Sequence, residues 1–88
     1  MKDEITVTLE VNPHTFVLGT KTGIYLMTLP ENGDLLKSKK VKIEGDTGRV
    51  NSLIKLGGER VGIASAAGIF DFYVGNSEVR LAAEILDD

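Results

Sequence analysis

The sequence predicts an all-β protein built from two copies of a four-stranded antiparallel unit. Apolar and polar residues alternate along residues 5–11 and again along residues 50–56, which is the pattern of a half-buried strand. Clusters of Asn, Pro, Gly and Asp separate these segments, and such residues favour tight turns. Ten glycines interrupt the chain, and no window of twelve residues keeps an unbroken helical stripe. Strands are therefore expected in both halves.

The two halves correspond at an offset of 45 residues. Residues 23–25 read Gly-Ile-Tyr, and residues 68–70 read Gly-Ile-Phe. The alignment runs without a gap over about residues 5–34 and 50–79, with apolar positions, turns and glycines in common. A short chain with such internal similarity is expected to fold as a tandem repeat.

The whole chain, residues 1–88, is expected to form a single domain, with one repeat at about 5–45 and the other at about 48–88. The predicted strands, from innermost to outermost, are 5–11, 15–20, 23–29 and 35–43 in the first repeat, and 50–56, 60–65, 68–74 and 78–86 in the second. The last segment also carries the best helical pattern in the chain, but a helix of this length is marginal in water.

A period of about 45 residues containing four short strands is typical of β-propeller blades. The segment "VNSLIKLGGERVGIASAAGIFDFYVG" resembles a WD-repeat blade, and "LGTKTGIYLM" resembles the looser pattern of citron-homology propellers. The Gly-His and Trp-Asp pairs of true WD repeats are missing, and Tyr73-Val74 occupies the place of the Trp-Asp pair. The resemblance therefore implies the propeller architecture and no functional residue.

Two blades cannot close a ring, because propellers typically contain four to eight. The resemblance therefore implies a ring closed by homo-oligomerisation, with six blades from a trimer or eight from a tetramer. Four blades from a dimer lie at the tight end of the range. The expected interface consists of apolar residues of the inner strands: Ile5, Val7, Leu9, Val11, Val50, Ile54 and Leu56. Glu10 and Lys55 occupy equivalent positions, and they are expected to alternate around the ring as opposite charges.

The connection between the two repeats is the predicted location of any ligand site. Ligands of propellers usually lie near the channel on one face, and the resemblance places residues 44–49 on that face. The polar residues Glu44, Asp46 and Arg49 are expected to lie near Lys21 on the same rim. The alternative is that this segment serves only as a linker.

Other residues with catalytic or metal-binding potential are few. His14 follows a proline in a predicted turn without a matching nucleophile, and the chain contains no cysteine. Glu31 and Asp34 lack the spacing of a calcium-binding loop. No catalytic residue, metal or cofactor is therefore expected. The lysines of residues 37–42 alternate around Val41, as expected for an edge strand protected from aberrant pairing.

The composition restricts the function classes further. A net charge of −3 and a pI near 5.1 argue against a general nucleic-acid binder. No apolar run reaches the length of a membrane span, so a cytoplasmic protein is expected.

The favoured function is a self-assembling binding scaffold without catalytic activity. The alternative is an adaptor or regulatory subunit that completes a partner protein's propeller. An enzyme subunit acting at a shared central channel is the least favoured.

Overall fold

The computed structural model describes residues 4–32, 37–43, 47–76 and 78–84. Within these ranges the chain forms eight β-strands, a short 3-10 turn at Val74–Asn76 and no α-helix. The strands are β1 (Ile5–Asn12), β2 (Thr15–Thr20), β3 (Ile24–Thr28), β4 (Lys39–Ile43), β5 (Val50–Gly57), β6 (Arg60–Ser65), β7 (Gly68–Tyr73) and β8 (Glu78–Glu84). Strands β1–β4 form the first sheet and β5–β8 the second, each antiparallel and in chain order. The predicted all-β class with two four-stranded sheets is confirmed.

The first three strands of the two sheets share one register at the offset of 45 residues. In β1 and β2, Ile5 lies opposite Thr20, and in β5 and β6, Val50 lies opposite Ser65. Each of these hairpins contains two register shifts, and the shifts occur at corresponding positions. Every pairing of β2 with β3 likewise has its counterpart in β6 and β7. Below, the counterpart of a residue is the residue 45 positions away in the other repeat.

The correspondence at this offset ends after the third strand. Ten residues separate Thr28 from Lys39, whereas four separate Tyr73 from Glu78. Lys39 pairs with Thr28 and Glu78 pairs with Tyr73, so the fourth strands match at a smaller offset. The gapless alignment expected to about Asp34 and Val79 is therefore wrong at its end, and Asp34 lies outside the described residues.

The first outer strand begins later than predicted, and the second is a strand over its described residues. The first was expected over residues 35–43, but β4 begins at Lys39, because Lys37 and Ser38 precede the pairing with β3. The helical alternative for residues 78–86 is wrong over Glu78–Glu84, where the backbone pairs with β7 as strand β8. Residues 33–36 and 85–88 lie outside the described part of the chain.

The register divides each sheet into two faces, because successive side chains of a strand point to opposite sides. Ile24 and Tyr25 mark the two faces of the first sheet, and their counterparts Ile69 and Phe70 mark those of the second. We call these the Ile24 face and the Tyr25 face of the first sheet, and the Ile69 face and the Phe70 face of the second.

The two sheets pack on each other through unlike faces. The core combines Val17 and Ile24 from the Ile24 face with Ile63 and Phe72 from the Phe70 face. The buried core residues are Val11, Val17, Ile24, Ile43, Val50, Val61, Ile63, Phe70 and Phe72. The sheets are thus stacked in the same orientation, so that the Ile24 face is covered and its counterpart, the Ile69 face, points outward.

The sheets approach most closely along their inner strands. Strand β5 lies against β1 and β2. The hydroxyl of Thr6 donates a hydrogen bond of 2.6 Å to the carbonyl of Val50 across this junction. Val41 in β4 and Leu81 in β8 point between the sheets, yet both are exposed. The sheets therefore meet along the inner strands and open toward the outer ones. The molecule measures 50 × 30 × 17 Å.

Candidate functional site

One rim of the molecule carries two of the predicted ligand-binding residues. Lys21, in the turn between β2 and β3, places Nζ 2.6 Å from Glu4 Oε2, and both side chains are more than half exposed. The hydrogen bond and charge of Lys21, and to a smaller extent the charge of Arg49, hold the pKa of Glu4 below its ordinary value. Glu4 therefore lies within electrostatic reach of both Lys21 and Arg49.

A buried hydroxyl group, that of Thr20, holds the turn that contains Lys21 in place. Thr20 Oγ1 donates to the carbonyl of Gly23 at 2.9 Å and accepts from the Gly23 N–H at 3.1 Å. Ser65, the counterpart of Thr20, donates to the carbonyl of Gly68 at 3.1 Å. The φ angles of Gly23 and Gly68, 159° and 146°, are similar, so the two turns share one construction.

The connection between the repeats contributes only its last residues to the described rim. Glu44 and Asp46, predicted to share this site, lie outside the described residues. Thr47 is fully buried, and the Ala66 N–H donates to the carbonyl of Arg49 at 2.9 Å. Backbone pairing with the β6–β7 turn therefore positions the exposed Arg49.

Sequence reasoning did not identify Glu4 as part of this rim. The signal for it is the repeat itself, because Glu4 is the counterpart of Arg49. The two residues carry opposite charges at equivalent positions just before the inner strands β1 and β5. An exposed rim of one carboxylate and two cations suits weak pairing with charged groups.

The opposite end of the sheets carries the remaining polar candidates. The backbone N–H of His14 bonds to Asn12 Oδ1 at 2.9 Å, and its carbonyl accepts from the N–H of Leu29 at 2.8 Å. Its side chain is exposed.

Two open depressions of about 270 and 200 Å³ lie at corresponding ends of β3 and β7. Over the described ranges, no group of three His, Cys, Asp or Glu side chains is placed to hold a metal ion.

The structure divides the seven predicted interface residues into two groups. Four belong to the core between the two sheets or pack against it: Val7, Leu9, Val11 and Val50. Three are exposed, with exposed fractions between 45% and 58%: Ile5, Ile54 and Leu56. Ile69, which the sequence analysis did not select, is also 44% exposed.

Each of these four exposed residues has a counterpart that packs between the sheets. Ile5 corresponds to Val50, and Ile69 corresponds to Ile24, both of which are buried. Ile54 and Leu56 correspond to Leu9 and Val11 in the same way. The exposed apolar residues therefore occupy positions at which the fold buries apolar side chains when a second sheet is present.

The four residues lie on the two faces that point away from the core. Ile54, Leu56 and Ile69 lie on the Ile69 face of the second sheet, and Ile5, opposite Thr20, lies on the Tyr25 face of the first. Half-buried aromatic and apolar side chains extend the Tyr25 face: Phe16, Tyr25 and Met27.

Charged side chains also lie on these two faces. On the Ile69 face, Asp71 replaces the counterpart Leu26 and lies 3.6 Å from Arg60. Arg60 also lies over the ring of Tyr73, 5.5 Å from its centroid. On the Tyr25 face, Lys42 Nζ lies 5.8 Å from the centroid of Tyr25. Charged side chains therefore border the apolar surface of both faces.

Comparison with known proteins assigns the chain to no family. No protein-family model, no curated protein and no solved structure matches it. In the part of the chain that the structure describes, no helix is long and apolar enough to cross a membrane. The functional interpretation therefore depends on the geometry of the rim and of the two outward faces.

Proposed function

We propose that this protein is a non-catalytic scaffold that assembles with copies of itself, each chain contributing two propeller-like blades to a ring. One observation carries the proposal. Ile5, Ile54, Leu56 and Ile69 are exposed at positions whose counterparts pack between the sheets. Patches of exposed apolar side chains on a protein surface commonly mark an interaction site.

The size of the chain supports the need for an interface. A chain of 88 residues buries only about 60–65% of its unfolded surface, which leaves its stability marginal. Full burial of one large apolar side chain contributes about 1.5–3 kcal/mol. Association costs about 4–15 kcal/mol in lost translational and rotational freedom. Assembly therefore requires that the whole of the Ile69 face and of the Tyr25 face is buried. We therefore expect a total buried area above about 2,000 Å², as in obligate oligomers.

The shape of the chain supports a ring. The two sheets meet at their inner strands and open toward β4 and β8, as blades arranged around an axis do. A head-to-tail interface closes into a ring when its rotation divides a full turn. Two blades per chain then give a trimer with six blades or a tetramer with eight.

The rim is the proposed location of ligand binding by this scaffold. Glu4, Lys21 and Arg49 form its described part, and Glu44 and Asp46 complete the set proposed from the sequence. A ring repeats this rim once per chain, so weak individual contacts gain avidity toward a multivalent ligand. The ligand class suited to it is a charged, water-exposed group.

Backbone hydrogen exchange measured against protein concentration tests the assembly. Between about 1 and 100 μM, we expect added protection in β1 and β5 near Ile5 and Ile54 and in β7 near Ile69. The turn at His14 serves as the internal control, because it lies away from both faces. Protection that is independent of concentration in a monomeric protein contradicts the proposal.

An adaptor that completes another protein's propeller is the second candidate, and one observation favours it. Ala64 and Ile5 are each larger than their counterparts Gly19 and Val50, which pack closely against each other between the sheets. A partner blade with smaller residues fits these faces more closely than a second copy does. An adaptor is expected to sediment as a folded monomer when no partner is present.

A further inference from the structure

We propose that neighbouring copies join head to tail, with the Ile69 face of one chain on the Tyr25 face of the next. In this arrangement Ala64 lies against Ile5 of the next copy. The inference rests on the proposed self-assembly and names the contact that produces it.

The repeat register determines which faces are complementary. Within the chain, the Ile24 face packs on the Phe70 face. The Ile69 face is the counterpart of the Ile24 face, and the Tyr25 face is the counterpart of the Phe70 face. Each chain therefore exposes two faces that could form the same kind of contact with another chain: the Ile69 face at one end and the Tyr25 face at the other. Joining them pairs unlike faces, which is a heterologous interface, whereas a two-fold dimer pairs like faces.

A close contact between the sheets predicts a close contact between the chains. A β-carbon built on Gly19 lies 3.0 Å from Val50 Cβ. The counterparts of these residues are Ala64 on the Ile69 face and Ile5 on the Tyr25 face. Ala64 is half-buried and Ile5 is exposed, so both are available to a second copy.

A polar contact is preserved at the same junction. The hydroxyl of Thr6 donates to the carbonyl of Val50 at 2.6 Å. The counterpart of Thr6 is Asn51, which is exposed and whose side-chain amide is also a donor. The corresponding bond between chains runs from Asn51 to the carbonyl of Ile5 in the next copy.

The contact between chains is wider than the contact within the chain. A β-carbon on Gly19 lies 2.6 Å from Val50 Cγ1, which is too close for two carbon atoms. Ala64 carries this β-carbon, and isoleucine is one methylene larger than valine. Ala64 and Ile5 therefore hold the sheets farther apart, and the angle between chains differs from the angle between the two sheets of one chain.

Cysteine cross-linking tests the contact, because the protein contains no cysteine. Ala64→Cys and Ile5→Cys are prepared as separate variants, whose folding is checked by circular dichroism, and are then mixed under mild oxidation. We expect a disulfide-linked dimer containing one chain of each variant, since cysteine β-carbons about 3.5–4.5 Å apart form disulfides. The double variant is expected to give covalent products that end at the trimer or tetramer.

Two further variants provide the control and the replacement. Glu31→Cys, in an exposed turn, is expected to give no cross-link with Ala64→Cys. Asn51→Cys replaces Ala64→Cys if the latter does not fold, because both Asn51 and Ile5 are exposed. It is likewise expected to cross-link to Ile5→Cys.

The outcomes separate this inference from the proposed function. If the unmodified protein assembles but Ala64→Cys cross-links mainly to itself, like faces meet, and the head-to-tail contact is wrong while self-assembly stands. Assembly without any cross-link to Ile5→Cys overturns the contact in the same way. If the unmodified protein is a folded monomer, both proposals fail.

Discussion

Val50 of the second sheet packs so closely on Gly19 of the first that a β-carbon on the glycine would lie 2.6 Å from Val50 Cγ1. It would also lie 2.7 Å from Val7 Cγ1. Gly19→Ala is therefore expected to lower the free energy of unfolding by about 1–3 kcal/mol through overpacking. Urea unfolding followed by circular dichroism measures the change.

Gly62→Ala is the matched control for this substitution. Gly62 lies in β6, in the strand that corresponds to β2, but a β-carbon there meets Leu56 Cδ1 at 3.5 Å, an ordinary contact. The free energy of unfolding of Gly62→Ala is expected to stay the same or rise by up to about 1 kcal/mol, because glycine is unfavourable within strands. Equal losses in the two variants would show that the close contact of the sheets is not the cause.

The buried hydroxyl of Thr20 is expected to contribute more to stability than that of Ser65. Thr20 Oγ1 makes hydrogen bonds with Gly23 O and with the N–H groups of Thr22 and Gly23, whereas Ser65 Oγ donates to Gly68 O. Thr20→Val is expected to cost about 1–3 kcal/mol, because the buried N–H of Gly23 loses its hydrogen bond to this hydroxyl, whereas the Gly23 carbonyl keeps the bond from the Thr20 N–H. Ser65→Ala is expected to cost less. Thermal unfolding of both variants measures the two losses of stability. A larger loss in Ser65→Ala than in Thr20→Val would contradict the prediction.

The ion pair on the rim predicts a pH dependence. Lys21 lowers the pKa of Glu4 in the folded protein, so the stability contributed by Glu4 is present above its ordinary pKa of 4.5. This contribution is lost as the pH falls through the lowered value. NMR titration of the Glu4 carboxyl group is expected to give a midpoint below 4.5.

Two neutral variants separate the causes of this shift. Lys21→Met is expected to return the Glu4 pKa toward its ordinary value, and Arg49→Met is expected to change it less, because Lys21 is the larger cause. High salt is expected to reduce the shift in the unmodified protein. An unchanged midpoint in Lys21→Met would mean that the ion pair does not form in solution.

A lysine on the Ile69 face is expected to prevent assembly without unfolding the chain. Ile54→Lys places a charge where the neighbouring copy must exclude water, and burial of an unpaired charge is costly. Val41→Lys is the matched control, since Val41 and Ile54 are 57% and 58% exposed but Val41 lies on neither outward face. Size-exclusion chromatography at about 10 μM is expected to show a folded monomer for Ile54→Lys and an oligomer for Val41→Lys. Identical behaviour of the two variants would exclude the Ile69 face as the interface.

The sequence was sufficient to predict the strands that lie between strong turn signals. The predicted strands 15–20 and 60–65 have the bounds of β2 and β6, because turn residues precede and follow each of them. The fourth strands could not be aligned in the same way. Their offset depends on the length of the connection after β3 and β7, and a shorter loop leaves no mark in the apolar pattern.

The faces that carry the candidate interface could be predicted only in part. Alternation identifies which side chains share a face, but Val17 and Leu18 are both buried although they point to opposite sides of the first sheet. Val11 and Leu56 are counterparts with similar chemistry, yet one is buried and the other exposed. Which of the two repeats has this position covered depends on how the sheets stack, and no local sequence pattern encodes the stacking. Ile69 was missed because the expected interface included only residues of the inner strands, whereas Ile69 lies in β7.

Self-assembly is tested most directly by the mass of the unmodified protein in solution. Multi-angle light scattering at micromolar concentration is expected to give three or four times the chain mass of 9.5 kDa. A single species at 9.5 kDa that keeps its β-sheet circular dichroism would contradict the assembly and identify a self-contained two-sheet protein.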